Sequence, residues 1–246
     1  MSRILSTRLY VGAVIAAGAA LLVYLAPREL QNPLVAGALL VSTLLLSIFK
    51  VRLPLGNSGV STMSMAYAVD FVALIVEGAN LAMLLGAIGV LIQCTVRVRR
   101  KQPIHRAAFS AAAVIIAVQV AGMGWRTLGG SLTNLTLTST LLPLMVCAIT
   151  YFIVNTSLVV GAIAVTSSIS PKRAWNPEFL WSAPAYLVSA LVAGLVALAI
   201  VNGVAALLPI VASPLFVCYR SYQKRWTEMA KTLVERAAQA GTPATV

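Results

Sequence analysis

The sequence predicts an all-α fold, a polytopic transmembrane helix bundle of about eight spans with both ends on the cytoplasmic side and a C-terminal cytoplasmic helix. Three observations predict it. Of 246 residues, 60% are hydrophobic and only 10% charged, against about 25% charged in a typical soluble domain. The mean hydropathy is +0.93, more apolar surface than a globule of this length can bury. The apolar residues also fall in runs of helix length, separated by short polar or basic loops.

Residues 9–26 form the first run. At about 1.5 Å per residue it reaches about 27 Å, close to the hydrocarbon thickness. A basic, Ala-rich flank makes a cleaved signal peptide the rival reading, but the run is long for one and further spans follow, so an uncleaved helix is expected. The second run, 33–49, opens on Pro33, at a helix start where a missing N–H is harmless. A breaker-rich loop covers 50–60. The third run, 61–77, contains Asp70 and reads as a short or broken helix. Gly78-Ala-Asn80 reads as a tight turn, and 80–96 is the fourth run. The fifth (107–125) and sixth (141–165) flank a polar loop at 126–140, and a basic loop covers 166–181. The stretch 182–219 is too long for one span. Asn202-Gly203 divides it into 183–201 and 204–219. Residues 1–219 are thus the bundle, and 220–246 a cytoplasmic juxtamembrane helix with a frayed end.

Charge fixes the orientation. With the N-terminus inside and eight spans, the inner segments hold sixteen of the eighteen Lys and Arg, and only Arg28 and Arg126 lie outside. Positive charge is retained on the cytoplasmic side, so the bacterial inner membrane is the expected location. Six or seven spans are the alternatives. The net charge of +12 then sits at helix ends, where anionic headgroups are its partner rather than nucleic acid. The strongest cluster is Arg97-Val-Arg-Arg-Lys-Gln-Pro-Ile-His-Arg106. Trp125, Trp175 and Trp181 fall at expected interfaces as belt anchors.

Polar groups inside the spans are the candidates for function. A carboxylate near the bilayer centre costs about 2.5–3.5 kcal/mol on insertion scales, so Asp70 is expected to face the bundle interior or a cavity. Tyr67, Asp70 and Glu77 share a helix face at spacings of three and seven. They could line a site for a cationic or hydroxyl-bearing ligand, or hold a proton. The structural alternative is an interhelical hydrogen bond from Asp70 to a neighbour such as Gln93, with Glu77 at the outer interface. Gln93, Gln119 and Asn155 sit on separate runs, where each can line a pocket or join helices. Ala82/Gly86 and Ala190/Gly194 are small-residue pairs that permit close helix contact.

No catalytic or metal motif is present: no His–Glu pair, no phosphate-cradling glycine loop, no nucleophile elbow. The single histidine, His105, lies in the basic loop. Cys94, Cys147 and Cys218 show no paired spacing and read as apolar packing residues. No cofactor and no enzymatic activity are expected, with a membrane-embedded enzyme as the remote alternative.

After the last run, Tyr219, Tyr222, Trp226, Met229 and Leu233 recur at steps of three and four. That is the seam of a two-stranded coiled coil and implies a homodimer. An amphipathic helix on the inner leaflet is the rival.

Four stretches then resemble a known family. They are Phe49-Lys-Val-Arg-Leu-Pro-Leu-Gly56 with Thr62-Met-Ser-Met-Ala-Tyr-Ala-Val-Asp-Phe71; Gln93-Cys-Thr-Val-Arg97; Tyr151-Phe-Ile-Val-Asn-Thr156; and Asn176-Pro-Glu-Phe-Leu-Trp-Ser-Ala-Pro-Ala-Tyr186. Together they resemble the MASE-type membrane sensor region that precedes HD-GYP and GGDEF domains in bacterial cyclic di-GMP signalling proteins. The resemblance spans roughly residues 35–230 and implies a sensory module. It would bind an extracytoplasmic or membrane-borne ligand and relay the event through the Tyr219–Leu233 helix to a cytoplasmic output domain or partner. The sequence given contains no GGDEF run and no His-Asp pair with Gly-Tyr-Pro, so the resemblance implies no catalysis by these residues. The competing reading is a small-molecule transporter or its substrate-binding membrane subunit.

Overall fold

A computed structural model describes residues 2–48, 50–54, 60–96, 103–131, 136–167, 170–175, 182–204 and 208–239. Nine helices and one hairpin make up the described chain. They are α1 (Ser2–Leu25), α2 (Pro33–Ile48), strands β1 (Lys50–Pro54) and β2 (Val60–Ser64), α3 (Tyr67–Val76), α4 (Ala79–Thr95), α5 (Ile104–Thr127), α6 (Leu137–Ser167), the single turn α7 (Pro171–Ala174), α8 (Ala183–Val201) and α9 (Leu208–Gln239). Among the described residues, four helices are long and apolar enough to cross a membrane: Leu5–Leu25, Ile104–Thr127, Thr138–Ser167 and Ala183–Val201. Helices α2, α3 and α4 are shorter and also apolar.

Two expectations need correcting. The described chain is helical as expected apart from one small hairpin, and the correction falls on the loop expected at 50–60, part of which is strand. Lys50 pairs with Ser64 and Pro54 with Val60 in an antiparallel register. Val51, Val60 and Thr62 are residue types that favour strands, and Gly56, Asn57 and Gly59 fall between the two strands in the sequence. The third apolar run therefore starts as strand and becomes helix only at Tyr67, leaving α3 ten residues long, about 15 Å. Secondly, Trp125 is no belt residue. It is 4% exposed in the core, and Gly130 packs on its indole ring. Trp175 is half-buried, and Trp181 lies outside the described residues.

Side-chain contacts fix the direction of each helix. Thr7 Oγ1 donates to the carbonyl of Val165 and the Tyr10 phenol to that of Leu158, so α1 and α6 are antiparallel. Gly18 meets Ala112 as Tyr10 meets Phe109, so α1 and α5 are parallel. Gln119 reaches Asn80 and Met83 while Gly86 meets Val114, which sets α4 against α5. Gly86 meets Asp70 and Gly89 meets Ala66, so α3 and α4 are also antiparallel. Tyr186 packs on Phe152 and Gly194 on Leu144, which opposes α8 to α6. Helices α1, α3, α5 and α8 thus run one way, and α4 and α6 the other.

Two links pin α2 alongside α3. Near the end of α2, Ser64 Oγ donates to the Leu46 carbonyl at 3.1 Å. At its start, Glu77 accepts the backbone N–H groups of Gln31 and Asn32, both at 3.2 Å. Asn32 in turn caps α2, its side-chain oxygen accepting from the N–H groups of Leu34 and Val35 at 3.1 and 3.3 Å. Helix α2 therefore runs opposite to α3. The short α3 is enclosed by α2, α4 and α8, and every residue from Tyr67 to Ile75 is buried.

Small residues let the helices close on one another. A Cβ added at Gly18 would meet Ala112 Cβ at 2.5 Å, and one at Gly122 would meet Ala79 Cβ at 2.6 Å. With no Cβ at these points, backbones approach without loss of packing. The chain turns back after α8 through Gly203 at φ 70°, a left-handed conformation that glycine adopts freely. Helix α9 then runs unbroken through Pro214 and past the 219/220 boundary. It packs on α8 and on β1.

Candidate functional site

The fold gathers a buried polar and aromatic cluster around the first turn of α3. Asp70 sits in that turn, where a carboxylate favours the positive end of the helix dipole. It is 4% exposed. Its Oδ2 accepts a hydrogen bond from the Tyr151 phenol of α6 at 3.3 Å. Its Oδ1 is buried without a hydrogen-bond partner. On α4, Gly86 makes room for the group: a Cβ there would stand 3.1 Å from Oδ2.

Rings wall the carboxylate. Tyr67 stacks on Tyr186 of α8 with centroids 4.5 Å apart. Tyr151 lies tilted against Phe71 at 5.4 Å and against Tyr186 at 5.7 Å, and Phe152 adds a contact to Tyr186 at 5.4 Å. These spacings fall in the favourable range for aromatic pairs. The Tyr67 hydroxyl faces Met65 Sδ at 3.4 Å.

Three hydroxyls near α3 share the condition of Asp70 Oδ1. Thr43 and Ser47 of α2 and Ser189 of α8 are wholly buried, and their oxygens have no hydrogen-bond partner. Thr43 and Ser47 border Gly89, beside Ala66 at the start of α3. Helix hydroxyls often bond back to the carbonyl four residues earlier, as Ser42 does to Ala38 at 2.8 Å. These three do not.

The other expected residues lie elsewhere. Glu77 does not line the cluster: it closes α3 and holds the loop ahead of α2, on the opposite end of α3 from Tyr67. Gln93 is not the partner of Asp70. It is half-buried near the end of α4, two residues before Thr95, while Asp70 lies against Gly86 two turns earlier. Gln119 joins helices: its Nε2 donates to the Ala79 carbonyl at 3.4 Å, Asn80 Oδ1 at 3.2 Å and Met83 Sδ at 3.0 Å. Asn155 is half-buried one turn beyond Tyr151 on α6. So of the five candidates, Tyr67 and Asp70 meet.

Tyr151, Tyr186 and Ser189 escaped attention as site residues. A tyrosine in an apolar run reads as packing, and a serine is too common in helices to single out. The signal present was indirect: Tyr151 and Tyr186 lie in two of the stretches that carry the family resemblance, and Asp70 in another.

On α9, Gln223 Nε2 donates to the Tyr219 hydroxyl at 3.1 Å. The side chains of Tyr222, Trp226, Met229 and Leu233 lie outside the described residues, as does the cluster at 97–102. The three cysteines are free, with Cys147 buried and Cys94 and Cys218 half-buried. No family model, curated protein or solved structure matches the chain.

Proposed function

We propose that this chain is a MASE-type sensory module of the bacterial inner membrane. It crosses the bilayer eight times, with both ends in the cytoplasm. Helices α1, α2, α4, α5, α6 and α8 are six of the crossings. The others are α3 with the extended residues before it, and the apolar first half of α9. The alternating helix directions and the charge asymmetry of the loops support this arrangement. In this reading a small extracytoplasmic or membrane-borne ligand binds at the Asp70 cluster. An intramembrane carboxylate facing the bundle interior is a functional site by default.

One observation carries the relay. Only Met65 and Ala66 separate α3 from β2, β2 pairs with β1, and β1 lies against α9. A shift of α3 on ligand binding would reach α9 through the hairpin. Helix α9 then leads into a cyclic di-GMP output domain of HD-GYP or GGDEF type, or to a separate partner. The requirement is a bundle with two packings that the ligand distinguishes by affinity. Paired α9 helices in a homodimer, with the basic loops on anionic headgroups, would carry the output.

Cysteine cross-linking tests the relay. In native membranes, Trp226→Cys or Met229→Cys is expected to give a disulfide-linked dimer, and adding Asp70→Asn is expected to change its yield several-fold. Absence of any dimer at both positions removes the paired-helix relay.

One observation favours a transporter as the second reading. Helix α3 is short, buried and preceded by extended backbone, and transporters place their sites on such discontinuous helices. Solute uptake by proteoliposomes that Asp70→Asn abolishes would favour it over the sensor.

A further inference from the structure

We propose that Asp70 is a proton-binding site: in the packed bundle it is a neutral carboxylic acid with the proton on Oδ1, and it gives that proton up when the first turn of α3 opens. The inference rests on reading the Asp70 cluster as a binding site, and names the ligand it takes.

The surroundings supply no counter-charge. Asp70 is 4% exposed and accepts one hydrogen bond, from the neutral Tyr151 phenol. Helices α2, α4, α6 and α8 carry no Lys, Arg or His along their whole length. Helix α5 carries His105, Arg106 and Arg126, all near its ends. Gly86 of α4 meets both Asp70 and Val114 of α5, so Val114 marks the level of the carboxyl group. Arg106 and Arg126 lie about 12 and 18 Å from that level along the helix axis. The titratable groups around the cluster are Tyr67 on α3, Tyr151 and Cys147 on α6, and Tyr186 on α8. Helix α2 has none, and the Cys94 thiol of α4 lies at the far end of that helix. Among the described side chains, then, no positive charge reaches the carboxyl group. A carboxylate here would be a buried charge with a single hydrogen bond, which costs far more than a buried neutral acid. The dipole of α3 offsets only part of that cost.

The space suits a proton. Oδ2 accepts the Tyr151 O–H, so the acid proton sits on Oδ1, the buried oxygen without a partner. Aromatic rings close on one another on one side of the group. On the other side Gly86 brings α4 so near that a Cβ there would stand 3.1 Å from Oδ2. A proton needs no cavity. An O–H left unpaired costs about as much as a lost hydrogen bond, which the bundle already bears at Thr43 and Ser47.

Release is tied to the movement of α3. The O–H bond of Asp70 breaks, the electron pair stays on the carboxylate, and the proton passes to water. The anion left behind needs water or further donors. The first turn of α3 reaches them by leaving the rings of Tyr151 and Tyr186. Only Met65 and Ala66 separate that turn from β2, so its movement pulls on the hairpin.

The sequence makes the test direct. Asp70 is the only aspartate in the chain. Labelling aspartate with carbon-13 at the side-chain carboxyl therefore gives one protein signal, whose chemical shift separates acid from carboxylate. Solid-state NMR follows it for the full chain in lipid bilayers as the pH is raised. The acid signal is expected at neutral pH, converting reversibly to the carboxylate signal at alkaline pH. In parallel, membranes carrying Met229→Cys, with and without Asp70→Asn, are cross-linked across the same pH range. The Asp70→Asn chain has the same thiol chemistry and no proton to lose, so the ratio of the two yields is read. That ratio is expected to change several-fold over the interval in which the signal moves. A carboxylate signal at neutral pH, or an acid signal that no alkaline pH converts, would overturn the proposal. A converting signal with a constant yield ratio would leave the proton site standing and remove the relay. A carboxylate signal at neutral pH with an Asp70-dependent yield would remove the proton and keep the relay.

Discussion

The Tyr151 phenol donates to Asp70 Oδ2 across 3.3 Å, from α6 to the first turn of α3. This bond joins two elements eighty-one positions apart in sequence, and it is the one hydrogen bond the carboxyl group accepts among the described residues. Tyr151→Phe keeps the ring contacts with Phe71 and Tyr186 but removes the donor, leaving both Asp70 oxygens unsatisfied. The expected loss is about 1–3 kcal/mol. Thermal unfolding in micelles should show a clear drop for Tyr151→Phe. It should show a smaller further drop when Asp70→Asn is added, because the two changes remove the same interaction.

Close helix contacts predict a graded alanine series. Gly18→Ala would force its new methyl group against Ala112 Cβ at 2.5 Å and Cα at 2.6 Å. Neither can move without displacing a helix, so a loss of about 1–3 kcal/mol is expected. Nothing lies within 4 Å of a Cβ added at Gly12 or Gly37. Alanine there should be neutral or stabilising by up to about 1 kcal/mol, because it favours the helix. Melting midpoints of the three single variants would check the order.

Glu77 predicts a local effect. Its carboxylate accepts the N–H groups of Gln31 and Asn32 and so ties the α1–α2 loop to the end of α3. The link is solvent-exposed, so Glu77→Gln should cost about 1 kcal/mol or less. Protease cleavage within 26–32 should nevertheless speed up, while the Asp70 cluster stays intact. Limited proteolysis followed by mass spectrometry reads this.

A fourth expectation concerns Tyr10. Its phenol rests on Gly161 and donates to the Leu158 carbonyl at 3.0 Å. Gly161→Ala would push the ring out and separate α1 from α6, whereas Tyr10→Phe removes only the bond, at about 1 kcal/mol. The alanine variant should be the worse of the two in detergent stability.

Much of the helical layout was legible because apolar runs of helix length carry their own signal. The turn at Asn202-Gly203 and the burial of Asp70 were readable for the same reason. What failed has physical causes. The hairpin was hidden because Gly56, Asn57 and Gly59 dominate a composition-based reading of 50–60, while its flanks are short. Trp125 was misassigned because proximity to a helix end cannot reveal which way a side chain faces. The partner of Asp70 was missed because its contact with Tyr151 depends on how α3 and α6 pack. Spacing within one run identifies Tyr67 and Asp70 as neighbours, but is silent about α6 and α8.

Membrane orientation offers the most direct measurement. In a background with Cys94, Cys147 and Cys218 replaced by Ser, single cysteines are placed at the exposed positions Arg28, Arg126, Arg106, Lys172 and Arg220 and labelled in intact cells with an impermeant maleimide. Positions 28 and 126 are expected to react at once, and 106, 172 and 220 only after the membrane is permeabilised. Labelling of 106 or 220 from outside would contradict the eight-pass arrangement, and with it the route from Asp70 to a cytoplasmic α9.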